Sequence, residues 1–236
     1  MTRRRWIADE FTATTAALTG EHANHLVRVL RVRPGQEFDI VAGDTIRRGK
    51  ATVITEARVE FDLGERLPRV PIPNIVLVLA IFKFDRMELA IEKCTELGVL
   101  RIVPLIARRT DAHLASASTK RVERWRRIAL QAAEQSRRST PPEISSPIKL
   151  AQAVGFAGIL RIVLAEHERQ DLLRDVLQRP LPEGEIILAV GPEGGWTDDE
   201  LKQFREAGWI SASLGPTILR AETAAIAATA IVSSNY

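Results

Sequence analysis

Two stretches of this chain bring glycine, proline and charge together at spacings that suit a small molecule. The first is Gly191-Pro192-Glu193-Gly194-Gly195-Trp196. The second is Leu214-Gly215-Pro216-Thr217-Ile218-Leu219-Arg220, which runs into Ala221-Glu222-Thr223-Ala224-Ala225. Glycine permits tight, left-handed backbone and a close approach of a ligand to bare peptide groups. A glutamate inside the first loop repels phosphate and suits a cationic ligand. Other chemistries lack their residues. There is no G-x-G-x-x-G after an apolar run and no G-K-[ST] phosphate loop, and no G-x-S-x-G elbow. The histidines His22, His25, His113 and His167 have no zinc-ligand spacing, so no metal is expected. The single cysteine, Cys94, excludes an internal disulfide and falls on the apolar stripe of a helix, a core position.

Charge is segregated along the chain. Residues 101–150 hold eleven Lys/Arg against four Asp/Glu, a net of +7, whereas residues 151–236 hold seven against twelve, a net of −5. Nearly all of the basic block is arginine, whose planar fork matches phosphate oxygens, and such a block suits an RNA partner. The same pattern also fits a solvated helix face. No stretch is long and apolar enough to span a membrane, and the basic start runs into Asp9 and Glu10 rather than an apolar core, so a cytoplasmic chain is expected.

The elements that must carry these loops fall into two regions. Residues 1–70 alternate like strands at Gln36 to Ala42, Ile46 to Thr55 and Arg58 to Leu63, with a short helix at His22 to Leu30. Pro68, Pro71 and Pro73 then form a stiff connector and a domain boundary. Beyond it the rhythm is strand, helix, strand. Ile75 to Ile81 is an unbroken apolar run, as in a strand buried on both faces. Strands are expected again at Ile102–Ala107, Ile159–Ala165, Glu185–Val190 and Ile210–Leu214. Between them, helices are expected at 85–97 with Asp85 as N-cap and Gly98 past the end, at 119–138, 171–177, 198–207 and 222–232. Thr197 and Glu200 read as a capping box. This is an α/β domain with a largely parallel sheet. Both glycine loops lie at the carboxyl ends of its strands, read here as neighbours in the sheet, where such folds bind ligands. The last helix, almost all small or apolar, is expected to be buried nearly all round, in the domain or against a partner.

At these residues the chain resembles the ribosomal RNA small-subunit methyltransferase E family of the SPOUT superfamily. The matching stretches are HLVRVLRVRPGQ (25–36), MELAIEKCTELGV (87–99), RWRRIALQAAEQSRR (124–138) with PPEI (141–144), LAVGPEGGWTDDEL (188–201) and LGPTILRAETAAIAA (214–228). The chain departs from the usual pattern at Thr217, where arginine is common, and at Ala221, where threonine is.

The resemblance implies an N-terminal PUA-like β-barrel for RNA binding at residues 1–70. It implies a SPOUT-type α/β domain at 71–236, with a trefoil knot, that binds cofactor and forms a homodimer. It also implies methylation of N3 of a uridine in 16S ribosomal RNA, free or in the small subunit, with S-adenosyl-L-methionine as cofactor. The cofactor would lie against Leu164, Ala165 and Glu166, against Gly191, Glu193, Gly194 and Gly195, and against Leu214, Gly215, Ile218 and Leu219. Arg220 would steady negative charge on the base, and Glu222 or Glu134 would accept its proton. RNA contacts would come from Arg3, Arg4, Arg28 and Arg31, and from Arg108, Arg109, Arg124, Arg127, Arg137 and Arg138. A non-catalytic RNA-binding or ribosome-assembly protein, and a knotted methyltransferase acting on transfer RNA, are the alternatives.

Overall fold

The computed structural model describes residues 5–43, 45–68, 74–136, 138, 140–165, 168, 171–178 and 184–234. Arg3, Arg4, Arg137, Glu166 and the linker residues Pro71 and Pro73 lie outside them. Contacts divide the chain into two compact units, Met1–Val70 and Pro71–Tyr236.

The first unit is built on β1 (Arg5–Ile7), β2 (Glu10–Phe11), β3 (Thr15–Thr19), β4 (Glu37–Ala42), β5 (Thr45–Ile54) and β6 (Arg58–Arg66). Its sheet runs β1-β4-β5-β6-β3-β2, antiparallel except where β1 meets β4. The two edge strands are joined by two residues. Ala8 N donates to Val41 O and the next residue, Asp9, donates its N–H to Ala17 O, so one stretch of chain links the two ends of the strand order. Trp6, Leu18, Phe38, Ile40, Val59 and Phe61 fill the interior. The expected short helix is α1 (Gly20–Asn24) running into one π-helical segment, His25–Val29, with Leu26 buried. Strands β1 to β3 are too short to alternate visibly, and the sequence pattern passed over them.

The second unit contains β7 (Asn74–Ala80), α2 (Phe84–Glu96), β8 (Arg101–Ile106), α3 (Ala112–Gln135), β9 (Glu143–Ile144), β10 (Ile148–Lys149) and α4 (Leu150–Ala153). It continues with β11 (Leu160–Leu164), α5 (Leu173–Val176), β12 (Glu185–Val190), α6 (Asp198–Glu206), β13 (Ile210–Ala212) and α7 (Ala221–Ser234). The sheet order is β10-β8-β7-β12-β11-β13, with β9 also on β8, and every one of these pairings is parallel. Alternate residues of β7 face opposite layers. Ile75, Leu77 and Leu79 pack with α2, α3 and α7, while Val76, Val78 and Ala80 pack with α4 and α6. That explains the unbroken apolar run.

Several expectations change in detail. Strands β12 and β13 are consecutive in the chain but not neighbours in the sheet, because β11 lies between them. Helix α2 begins at Phe84 with Lys83 at the N-cap, which places Asp85 inside the first turn. Helix α3 begins about two turns before Thr119, at Ala112, because the Asp111 carboxylate accepts from the N–H groups of His113 (2.7 Å) and Leu114 (3.4 Å). Within the single chain, helix α7 is buried on one side, and burial against a partner stays an expectation. Ala221, Ala225, Ala228 and Val232 face inward, whereas Ile226, Ala227, Ala230 and Ile231 stay partly accessible.

The end of α2 is secured by its neighbours. Gly98 takes φ +99 past the helix, a left-handed conformation that favours glycine. From α7, the Ser233 hydroxyl donates to Leu97 O at 2.9 Å. Just past α3, the Arg138 guanidinium donates to Thr95 O at 2.7 Å and Val99 O at 2.8 Å. Partial burial lowers the Arg138 pKa from its ordinary value, yet a guanidinium remains charged. Cys94 lies in the core beside them, and burial pushes its thiol up to about 12. Arg138→Met strands both carbonyls, and loss of hydrogen bonds from a charged donor costs about 1–3 kcal/mol. The thermal midpoint falls by about 2–4 °C for each kcal/mol lost. A midpoint unchanged in differential scanning calorimetry contradicts this role.

Candidate functional site

The ends of β11, β12 and β13 bound one cleft of about 380 Å³ in the second unit. Because β11 sits between the other two, its continuation, Leu164-Ala165, forms the floor between the two glycine loops. Ala165 N–H donates to Ala212 O at 2.9 Å, which fixes that floor to the end of β13.

The loop after β12 is tied on every side. Gly195 N–H donates to Pro192 O at 2.8 Å, and Gly195 takes φ +70 to complete the turn. The Trp196 indole N–H donates to Leu164 O at 3.0 Å and so joins the loop to β11. Its ring packs edge-on against Phe204 of α6, with centroids 5.1 Å apart. Thr197 and Glu200 form the expected capping box. Glu200 is only 4% exposed, and its carboxylate accepts from Thr197 N (2.9 Å), Thr197 Oγ1 (3.0 Å) and Arg108 N (2.7 Å). Three donors make this buried charge tolerable. Arg109 donates to Gly194 O (2.7 Å) and Trp196 O (3.2 Å), so the segment after β8 supports the same loop from below.

The cleft walls are mostly apolar, with Leu164, Val190, Leu214, Ile218 and Leu219 among them. Ile218 is 75% exposed, an apolar side chain presented at the opening. Charge sits at the rim. Lys83, Arg86, Glu193 and Arg220 line it. Arg86 Nη1 donates to Glu193 Oε1 at 2.6 Å, so the loop carboxylate is already neutralised by a cation of the chain. The glutamate of the first glycine loop thus has a partner within the chain.

Residues 68–233 match the model of an RNA methyltransferase domain, and residues 18–60 match that of an RNA methyltransferase PUA domain. The chain belongs to the ribosomal RNA small subunit methyltransferase E family. A family member from Synechocystis is 32% identical over 96% of this chain and 75% of its own length. One from Rickettsia conorii is 38% identical over 91% of this chain and 88% of its own. The crystal structure of the methyltransferase E from Neisseria gonorrhoeae, bound to S-adenosyl methionine, superposes with a TM-score of 0.67 at 31% identity, over 99% of this chain and 98% of that one. The fold is therefore that of the SPOUT methyltransferases, with a PUA-like first domain.

Of the methyltransferase residues expected from the sequence, the cleft brings together Leu164 and Ala165, Gly191, Glu193 and Gly195, and Leu214, Gly215, Ile218, Leu219 and Arg220. Gly194 is not among the lining residues, and a side chain there would meet Arg109 at 3.4 Å rather than fill the cleft. Glu222 is buried and does not line the cleft, and Glu134 is exposed near the end of α3, also outside it. Lys83 and Arg86 were missed. They follow β7, far from both glycine loops in sequence, and no local pattern marks them.

The arginine block is largely occupied by the fold. Arg124 grips Glu88 through two bonds of 2.6 and 2.7 Å, and that carboxylate raises its pKa above the ordinary guanidinium value. Arg126 donates twice to Ile144 O, and Arg121 lies over the Phe84 ring. Arg138 and Arg109 hold carbonyls, as described above. Arg108 and Arg127 are exposed, with no side-chain partner found among the described residues, and in the first unit Arg31 is exposed at φ +50 and Arg28 lies 3.8 Å from Glu56.

These placements separate two glycines that look alike in sequence. A Cβ at Gly191 would meet the Trp196 indole at 3.1 Å and push it off Leu164 O. Overpacking of this kind costs about 1–3 kcal/mol, or roughly tenfold to a hundredfold in affinity if the loop is displaced. Gly191→Val therefore weakens binding of S-adenosylmethionine by at least about tenfold, while Gly194→Val leaves it nearly unchanged. Calorimetric titration of both variants decides; equal losses would refute the assignment.

Proposed function

We propose that this chain transfers the methyl group of S-adenosylmethionine to N3 of a uridine in 16S RNA of the small ribosomal subunit, in the cytoplasm. The observation that carries this reading is the cleft where β11, β12 and β13 end, in a chain that matches both domains of an RNA methyltransferase family. The cleft suits the cofactor. About 380 Å³ lies in the range of small-molecule sites. Apolar side chains wall it, and three loops bring backbone N–H and C=O groups to it. At Gly215 an added Cβ would meet nothing within 4 Å, so open space lies beside bare backbone.

When bound, the cofactor supplies an electrophilic methyl on a sulfonium. The chain's own task is to make the uracil nitrogen nucleophilic. That nitrogen carries a weakly acidic proton, and it attacks only as the anion, whose charge spreads onto the two flanking oxygens. Arg220, exposed on the rim, is the cation we assign to those oxygens. Stabilising the anion makes the proton easier to lose to solvent. Neither Glu222 nor Glu134 faces the cleft, so neither is assigned as the proton's acceptor.

RNA contacts are assigned to exposed arginines, Arg108 and Arg127 in the second unit and, in the first, Arg31 and Arg28, whose pairing with Glu56 is loose and exposed. The partly accessible Ala227 and Ala230 of α7 favour a homodimer, because small residues allow close helix approach. Light scattering at micromolar concentration is expected to give twice the chain mass; a monomer with full activity rules the dimer out.

The direct test incubates the protein and cofactor with small-subunit RNA, with assembled subunits and with transfer RNA. Mass spectrometry is expected to find one methylated uridine in 16S RNA. Arg220→Ala is expected to lower the rate about a hundredfold, in the range of losing one charge-stabilising donor, and to move its rise with pH to higher pH. Methylation of transfer RNA alone, or none at all, defeats the proposal.

A further inference from the structure

Glu222, behind the cleft, is a buried carboxylate without a full set of partners. It stands in the first turn of α7 at 7% exposure, and its Oε2 has no hydrogen-bond partner among the described residues. A buried anion left alone is costly. The cation beside it is Arg86, whose Nε lies 3.8 Å from Glu222 Oε1, too far for a hydrogen bond but close enough for strong attraction. The same guanidinium donates to Glu193 Oε1 at 2.6 Å, across 107 residues of sequence. Arg86 thus stands between two carboxylates, one on the loop after β12 and one at the start of α7. The arginine itself comes from the first turn of α2. Three segments that follow three different strands meet at one charge.

We propose that Arg86 is a positioning residue for the cofactor cleft, and that buried Glu222 is its anchor. Glu222 draws the guanidinium inward from α2, and the guanidinium in turn holds Glu193 and, with it, the Pro192–Gly195 turn. Being planar and always charged, the guanidinium can face two carboxylates at once with separate donors, which an ammonium does less well. On this reading the buried charge of Glu222 contributes through Arg86, and not by touching the base that is methylated. It rests on the methyltransferase reading above, since the turn being held is part of the cofactor cleft.

The test uses the full chain and the variants Arg86→Met, Arg86→Lys, Glu222→Gln and the double variant Arg86→Met/Glu222→Gln. Titration with S-adenosylmethionine reads affinity, and amide hydrogen exchange of residues 191–195 without cofactor reads the turn itself. Arg86→Met is expected to weaken affinity about tenfold, the loss of one charge-assisted hydrogen bond, and to speed exchange in the turn. Glu222→Gln, which keeps the shape and removes the charge, is expected to act in the same direction. The double variant is expected to be no worse than Arg86→Met, because the two act in series. Arg86→Lys recovers part of the affinity. Wild-type affinity and wild-type exchange in Arg86→Met overturn the proposal, as do additive losses in the double variant. So does a Glu222→Gln protein whose turnover falls at saturating cofactor while its affinity is unchanged, since that marks direct action on the substrate. A wild-type chain that binds no S-adenosylmethionine defeats the methyltransferase reading instead, and the exchange measurement still decides whether Arg86 holds the turn.

Discussion

A parallel sheet buried on both faces sends every strand out at the same edge, and the rest of this structure follows from that constraint. The backbone of β7, β11 and β12 is satisfied by neighbouring strands, and their side chains are satisfied by helices above and below. Polar and irregular backbone is thereby displaced to the ends of the strands. The order β12-β11-β13 then sets which ends come together. Had β12 and β13 been neighbours, their loops would have met directly. With β11 between them they stand apart by one strand, and the space above Leu164 and Ala165 becomes a cleft.

The same geometry explains what could be read from the sequence. Features that depend on residues a few positions apart were legible: the apolar run of β7, the Thr197–Glu200 capping box, the stop at Gly98, and the two glycine loops. Features that depend on contacts across the sheet were not. Nothing near Arg86 announces Glu193, and nothing near Arg109 announces Gly194 O. Gly194 and Gly191 are equivalent in a motif, yet one faces Arg109 and the other Trp196. Strands of two or three residues, such as β1 and β2, carry too few positions to alternate.

The arginines show how composition misleads when read alone. A net of +7 over fifty residues suggests a surface for phosphate, but arginine is also well suited to satisfying orphaned carbonyls at helix ends and loop turns. Arg138 and Arg109 do that here, and Arg126 donates to Ile144 O of strand β9. Arg124 is held by Glu88. The charge of these side chains still adds to the local field, but their forks are committed. Among the described residues, Arg108 and Arg127 remain exposed with no side-chain partner found.

Two buried acids stand behind the cleft, and their hydrogen bonding differs: Glu200 is fully satisfied and Glu222 is not. Glu200 has three donors within 3.0 Å, all from segments that do not need to move, so it locks the start of α6 to the loop after β8. Glu222 has one cation at 3.8 Å and an oxygen without a partner. A fully satisfied group gains nothing from a change in its surroundings, whereas an under-satisfied one lowers its energy whenever a donor comes closer. The floor and the Trp196 side of the cleft are therefore fixed by interactions already complete. The Arg86 side is held instead by one guanidinium placed between two carboxylates.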